Sequence, residues 1–158
     1  MKINFIKANS ASTKDIQSFE KESKLKLPNE LIEFFKKYNG AKPESNIFKI
    51  GKNNDSGVNK FIEILSIFDE KKLIENLGTH KFPIAIAEGG NYVIVCLENN
   101  NQSIWFWDHE IPYPMIKLAD NIFDFLESLS PYDTDSVELH EGQVESAWID
   151  PDFLKEMK

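Results

Sequence analysis

The sequence has no arginine; all 18 of its Lys-plus-Arg residues are lysine. Bidentate recognition of phosphate and guanine relies heavily on the guanidinium fork, so this absence argues against a nucleic-acid partner. Cysteine is nearly missing too. A single residue, Cys96, closes no internal disulfide and agrees with a reducing compartment. It stands in an apolar run, where it reads as a small hydrophobe and not as a reactive thiol. No apolar run approaches the ~20 residues that a membrane helix needs. The N-terminal MKINFIKANS lacks a signal-peptide core. A cytoplasmic protein with no membrane partner is therefore expected. With three histidines and one cysteine, metal and nucleophilic chemistry have few routes.

Lysine itself runs out along the chain. Residues 1–81 hold 15 lysines against 11 acids, a balance of +4, whereas residues 82–158 hold 3 lysines against 15 acids, a balance of −12. Between Phe82 and Leu154, Lys117 is the sole lysine. Such a field repels phosphate backbones, attracts basic partners and raises the rate of encounter with them. An acidic surface also serves plain solubility, and charge alone does not separate the two roles.

What is present is one domain's worth of chain. Its 158 residues are 41% hydrophobic and 28% charged, enough for a core without staples. The organising stretch is Phe82–Asp108, FPIAIAEGGNYVIVCLENNNQSIWFWD. Three apolar runs, Phe82–Ala87, Tyr92–Leu97 and Ser103–Trp107, are joined by Glu88-Gly89-Gly90-Asn91 and by Asn99-Asn100-Asn101. Glycine and asparagine accept positive φ cheaply, so both joints suit tight turns and the stretch reads as an antiparallel meander. The middle run has no polar face, which predicts a strand covered on both sides.

Around the meander the spacing predicts helices. Ser12 with Asp15 forms a capping pair for a helix bearing Ile16 and Phe19. Pro28 suits the first turn of a second helix whose stripe is Leu31, Phe34 or Phe35, and Tyr38, closed by Asn39-Gly40. Ile3, Phe5 and Ile6 could form a brief edge strand. Ile47–Ile50 reads as a short strand followed by a soft loop over Gly51–Gly57, and Phe61–Phe68 reads as β-rich. Asp69 can cap a third helix with Leu73, Ile74 and Leu77, closed by Gly78. His109–Met115, carrying Pro112 and Pro114, reads as a loop. Asp120 can cap a fourth helix with Ile122, Phe125, Leu126 and Leu129, ended by Ser130-Pro131. Asp150-Pro151 can open a short terminal helix through Phe153 and Leu154. The fold class is α+β: a single domain with helices packed on a mostly antiparallel sheet, its core at about residues 12–130 and an acidic extension over 131–158.

Three segments in this order resemble the SUKH superfamily: FEKESKLKLPNELIEFFKKYNG (Phe19–Gly40), FPIAIAEGGNYVIVCLENNNQSIWFWDH (Phe82–His109) and LADNIFDFLESL (Leu118–Leu129). The shared marks are Leu27-Pro28 opening a helix, Asn39-Gly40 closing it, Pro83-Ile84 in a strand, the Gly89-Gly90-Asn91 turn and the tryptophan-bearing Trp105–His109. That superfamily includes a fungal regulator of cell-wall glucan synthesis and many bacterial immunity proteins. The resemblance implies a non-catalytic protein, with no cofactor, that binds and neutralises a toxin, often a nuclease. The alternative it allows is a regulatory or scaffolding domain without a toxin, favoured if no toxin-like reading frame lies directly upstream. It carries over no invariant functional residue; the matched positions do structural jobs.

Candidate chemistry is sparse. Asp108-His109-Glu110 is the best acid–base or metal candidate, but adjacent strand residues point to opposite faces and seldom chelate together. His140-Glu141 lacks the second histidine of a zinc-protease helix, and Gly89-Gly90 lacks the helix and the Lys-Ser/Thr pair of a phosphate loop. Trp105 and Trp107 share one strand face, which is either core or, if open beside Asp108 and Glu110, an interaction patch for a basic partner. Trp148 could lie over it. The expected contact residues for a basic toxin domain are Glu88, Trp107, Asp108, Glu110, Asp133, Asp135, Glu138 and Glu141.

Overall fold

The first helix starts at a reciprocal cap. The Ser12 hydroxyl accepts from the Asp15 N–H at 3.0 Å, and the Asp15 carboxylate accepts from the Ser12 N–H at 3.0 Å. Two donors that a helix end leaves unpaired are thereby satisfied. The computed structural model describes residues 5–6, 8–52, 54–98 and 101–131. In it α1 spans Thr13–Ser23 and buries Ile16 and Phe19. α2 spans Asn29–Tyr38 and buries Leu31, Phe34 and Phe35, with Pro28 at its cap. Gly40, just past its end, takes φ +68°, the left-handed conformation that glycine adopts without a Cβ penalty.

Six strands form one antiparallel sheet in chain order: β3 (Ile47–Ile50), β4 (Asn54–Phe61), β5 (Lys81–Ala87), β6 (Tyr92–Glu98), β7 (Asn101–Trp107) and β8 (Ile116–Ala119). A separate pair joins β1 (Phe5–Ile6) to β2 (Lys42–Pro43). The expected meander is β5–β6–β7. Its first joint is Glu88–Asn91, where Gly89 and Gly90 take φ +72° and +81°. Pro83 lacks an N–H and sits beside a register shift in the β5–β6 ladder, where a strand tolerates proline. β3 and β8 approach each other, so the sheet curls toward a barrel. Ser130 exchanges backbone bonds with Ile47 at 2.8 and 2.9 Å, which covers part of the outer edge of β3.

The inner face carries the main core. α1, α2 and α4 (Ile122–Glu127) press Phe19, Leu31, Phe34, Phe35, Phe125 and Leu126 onto Phe48, Val58, Val93, Val95, Ile104 and Phe106. Phe48 meets the rings of both Phe106 and Phe125 edge-on. On the outer face a second cluster joins Ile94 and Trp107 to Ile74 and Leu77. β6 is thus covered on both faces, as its composition demands. Cys96 is buried in that strand, and burial pushes its thiol pKa up, so it packs as a hydrophobe and resists ionisation.

Four expectations are corrected. Residues 54–57 are strand and not loop: β4 pairs with β3 at Ile50↔Asn54 and Phe48↔Ser56, and this pairing overrides a loop-like composition. Phe61–Phe68 is not a strand. It leaves β4 at Phe61, makes a 3-10 turn over Ile64–Ser66 and enters α3 (Ile67–Lys71), so Asp69 lies inside that helix. Leu73 is 70% exposed, while Ile74 and Leu77 turn inward. The fourth helix is capped by Asn121, whose side chain accepts from the Asp124 N–H at 2.8 Å, because β8 occupies the residues up to Ala119. Ile3 and the terminal segment from Asp150 lie outside the described residues. Among the described residues no helix is long and apolar enough to cross a membrane.

Candidate functional site: the open end of the curled sheet

Following the inner face toward one end of the sheet, its side chains turn from apolar to polar. Phe48 gives way to Ile50 along β3, and Val58 gives way to Ser56 and Asn54 along β4. On β7, Ile104 and Phe106 give way to Asp108, one residue past the strand. Side chains alternate between faces along a strand, so these residues share one side. Ile50, Asn54, Ser56, Phe106 and Asp108 line an open cavity of about 400 Å³ with Asp55, Asn91, Ile111, Pro114 and Ile116. Cavities of this size at the mouths of barrels are common ligand sites. Ile111 is 70% exposed and Ile116 43% exposed, so the rim presents apolar surface to solvent.

The acidic residues near this mouth are held by local bonds. Asp108 Oδ1 accepts from the Glu110 N–H at 2.8 Å, which turns the chain out of β7. Asn91 Oδ1 accepts from the His109 backbone N–H at 3.0 Å and lies 2.7 Å from His109 Nδ1. An amide oxygen only accepts, so Nδ1 carries the proton and donates. The imidazole thus ties the Gly90 turn to the exit of β7. Its Nε2 lies 4.0 Å from Glu110 Oε1, beyond hydrogen-bond reach, and it makes no bond to Asp108. The triplet is a structural clasp across the β6–β7 end. Among the described residues no group of three His, Cys, Asp or Glu side chains could hold a metal ion.

The tryptophan face is largely closed. Trp107 is 9% exposed, packed under Ile74 and Leu77, with the Tyr92 ring 5.8 Å from its own. Trp105 is half-buried, its indole N–H donating to the Ser103 hydroxyl at 2.8 Å. β7 is also not an edge strand, because β8 pairs with it at Phe106↔Ile116. Tyr113 anchors the loop after β7 to the segment beneath Trp107. Its hydroxyl lies 3.1 Å from the Glu75 carbonyl and 3.0 Å from that of Asn76.

Tyr92 donates to Glu70 Oε2 at 2.8 Å, and burial, with that bond and the Glu70 charge, pushes its pKa up to about 12. Between the ordinary phenol pKa of about 10 and 12, an unfolded chain has lost this proton while the folded one keeps it. Folding stability should therefore fall as pH rises through that window. Urea unfolding at pH values across it should show a steeper decline for the native sequence than for Tyr92→Phe. Equal slopes would show that the Glu70 contact does not govern this titration.

A family model described as SMI1/KNR4 family (SUKH-1) matches residues 10–128. The chain belongs to this family. The matched span runs from the residues before α1 to the cap that follows α4, so it contains every helix among the described residues and all six strands of the sheet. No curated protein matches the chain. Within this SUKH-1 domain the family's shared marks are doing structural jobs: Pro28 caps α2, Gly40 ends it, and Gly89-Gly90 turns β5 into β6.

The domain brings together some of the expected contact residues. Asp108 lines the mouth, Glu110 stands exposed beside it, and Glu88 is exposed in the β5–β6 turn that His109 clasps. Trp107 departs from the expectation: its ring supports the site from the opposite face of the sheet and offers a partner little surface. Asp133, Asp135, Glu138 and Glu141, with Trp148, lie outside the described residues. Asn54, Ser56, Asn91, Ile111 and Ile116 were not anticipated. Ile111 alone carried a signal, an isoleucine in a loop of prolines and acids.

Proposed function

We propose that this SUKH-1 domain is a non-catalytic binding protein that neutralises a basic toxin domain by covering it. The observation that carries the reading is the mouth of the sheet, where Asp108 and Asp55 share the lining with exposed Ile111 and Ile116, and exposed Glu110 precedes Ile111 in the lysine-poor half of the chain. Apolar surface ringed by one sign of charge suits a partner of the other sign: charge speeds the encounter and buried apolar contacts hold the complex. Neutralisation needs no chemistry on this chain, only exclusion of the toxin's substrate. Asp133, Asp135, Glu138 and Glu141 of the C-terminal extension add four more acids to the same half of the sequence.

The test begins with co-purification of the protein and the product of the neighbouring gene. Replacing Asp108, Glu110, Asp133 and Asp135 together by lysine should then slow association at least ~10-fold at low salt and abolish protection. Circular dichroism checks that the variant folds. Protection left intact by the folded fourfold variant would remove the electrostatic mechanism. A neighbouring gene that encodes no toxin would favour a regulatory or scaffolding role for the domain.

A further inference from the structure

The mouth of the sheet has a chemical character narrower than an acidic surface. Its floor is Phe106 and Ser56. Ser56 is 7% exposed, and its hydroxyl, which makes no hydrogen bond among the described residues, is open to the cavity. Above it on the same face stands Asn54, and across from it Asp108, half-buried. One Asp108 oxygen is taken by the Glu110 N–H, and the other has no partner among the described residues. The walls are apolar: Ile50, Ile116, Ile111 and Pro114. Oxygen acceptors at the bottom and one side, with aliphatic walls around them, match a cation carried on a short alkyl stem.

We propose that this cavity receives one lysine or arginine side chain of the protein partner. The stem lies along Ile50, Phe106 and Ile116, and the cation is held by the Asp108 carboxylate with the Asn54 and Ser56 oxygens. Charge complementarity selects this occupant: Asp108 and Asp55 in the lining, with exposed Glu110 next to Ile111, repel an acidic segment and favour a basic one. The proposal rests on the reading of the domain as a partner-binding module, and it deepens that reading by naming what enters the mouth.

The full chain would be titrated with n-butylammonium and n-butylguanidinium chloride, side-chain mimics of lysine and arginine, with n-butanol as the uncharged control. Amide NMR shifts report the site. Saturable shifts centred on Ile50, Asn54, Ser56, Phe106, Asp108 and Ile116 are expected with at least one cation, and none that saturate with the alcohol. Asp108→Asn keeps an oxygen for the Glu110 N–H and so preserves the turn, yet it should weaken binding at least ten-fold. Ser56→Ala should weaken it by a smaller factor. Shifts spread over the whole acidic surface, or unchanged in Asp108→Asn, would overturn the proposal. So would a mouth that answers the probes only after Lys155 and Lys158 are changed to glutamine, since the chain's own end would then be the occupant. The outcome is independent of the toxin reading. Protection without a probe-binding mouth sinks the pocket alone, and a probe-binding mouth in a protein that protects against nothing sinks the toxin alone.

Discussion

Replacing Phe34 by alanine is expected to lower the unfolding free energy by about 3–5 kcal/mol, a large part of the 5–15 kcal/mol that holds a typical domain together. Phe34 is fully buried on α2. Its ring lies edge-on to Phe35 at 5.3 Å and to Phe61 at 5.0 Å, and tilted against Tyr38 at 6.0 Å. Tyr38 in turn stacks on Phe5 of β1 at 4.2 Å. One ring thus joins the second helix, the end of β4 and the N-terminal strand. Truncation removes apolar area and leaves a cavity that flat rings fixed by other contacts cannot fill. Leu73→Ala is the control. That leucine shares the apolar pattern of its segment but is exposed, so its loss should change stability by less than about 0.5 kcal/mol. Urea unfolding of the two variants decides it. Equal midpoints for Phe34→Ala and the native chain would mean that the aromatic core is not the source of stability.

That contrast between Phe34 and Leu73 also shows where sequence reasoning works. Signals that act within a few residues were legible. The Ser12–Asp15 cap, the α2 stripe and the glycines of the β5–β6 turn each fix their own backbone, and they came out where expected. Signals that depend on distant partners were not. Asn54-Asp55-Ser56-Gly57 has the composition of a loop, yet each of its residues pairs with β3, whose ladder needs it extended. Ile64 and Ile67 look like strand residues, but their β-branched chains fill the core from a 3-10 turn and a short helix. Ile116–Ala119 is too short to show a period, and its pairing with β7 follows from the curl of the sheet. The mouth was hidden for the same reason. Ile50, Ser56, Asp108 and Ile116 come from four strands or their ends, and only the register of those strands sets them around one cavity. Asp108 was legible as an acid beside aromatics; that it faces inward, opposite Ser56, was not.

The second large effect is expected at Asn39, a polar residue that is 8% exposed. Its main chain exchanges both hydrogen bonds with Asn9, at 2.9 and 3.0 Å. Its side-chain Oδ1 accepts from the Ile64 N–H at 2.8 Å, which fixes the start of the 3-10 turn after β4. Leucine has nearly the same shape and keeps the backbone pairing, but it leaves the Ile64 N–H buried with no acceptor. A buried donor stripped of its partner costs about 1–3 kcal/mol. Asn39→Leu should therefore destabilise the domain by that amount even though it adds apolar surface to the core. Amide hydrogen exchange separates this cause from a packing defect, because the Ile64 amide should lose protection more than its neighbours. A leucine variant as stable as the native chain, with Ile64 still protected, would refute the assignment. The next residue shows why the pair is asparagine followed by glycine. A Cβ on Gly40 would come within 2.7 Å of Glu63 Cγ, at a φ of +68° that other residues avoid. Asparagine supplies the acceptor that the 3-10 turn requires, and glycine clears the space beside Glu63 through which that turn passes. The Asn-Gly pair that ends α2 is a joint between the helix and the sheet, and its chemistry is that of the fold, separate from the mouth where a partner would bind.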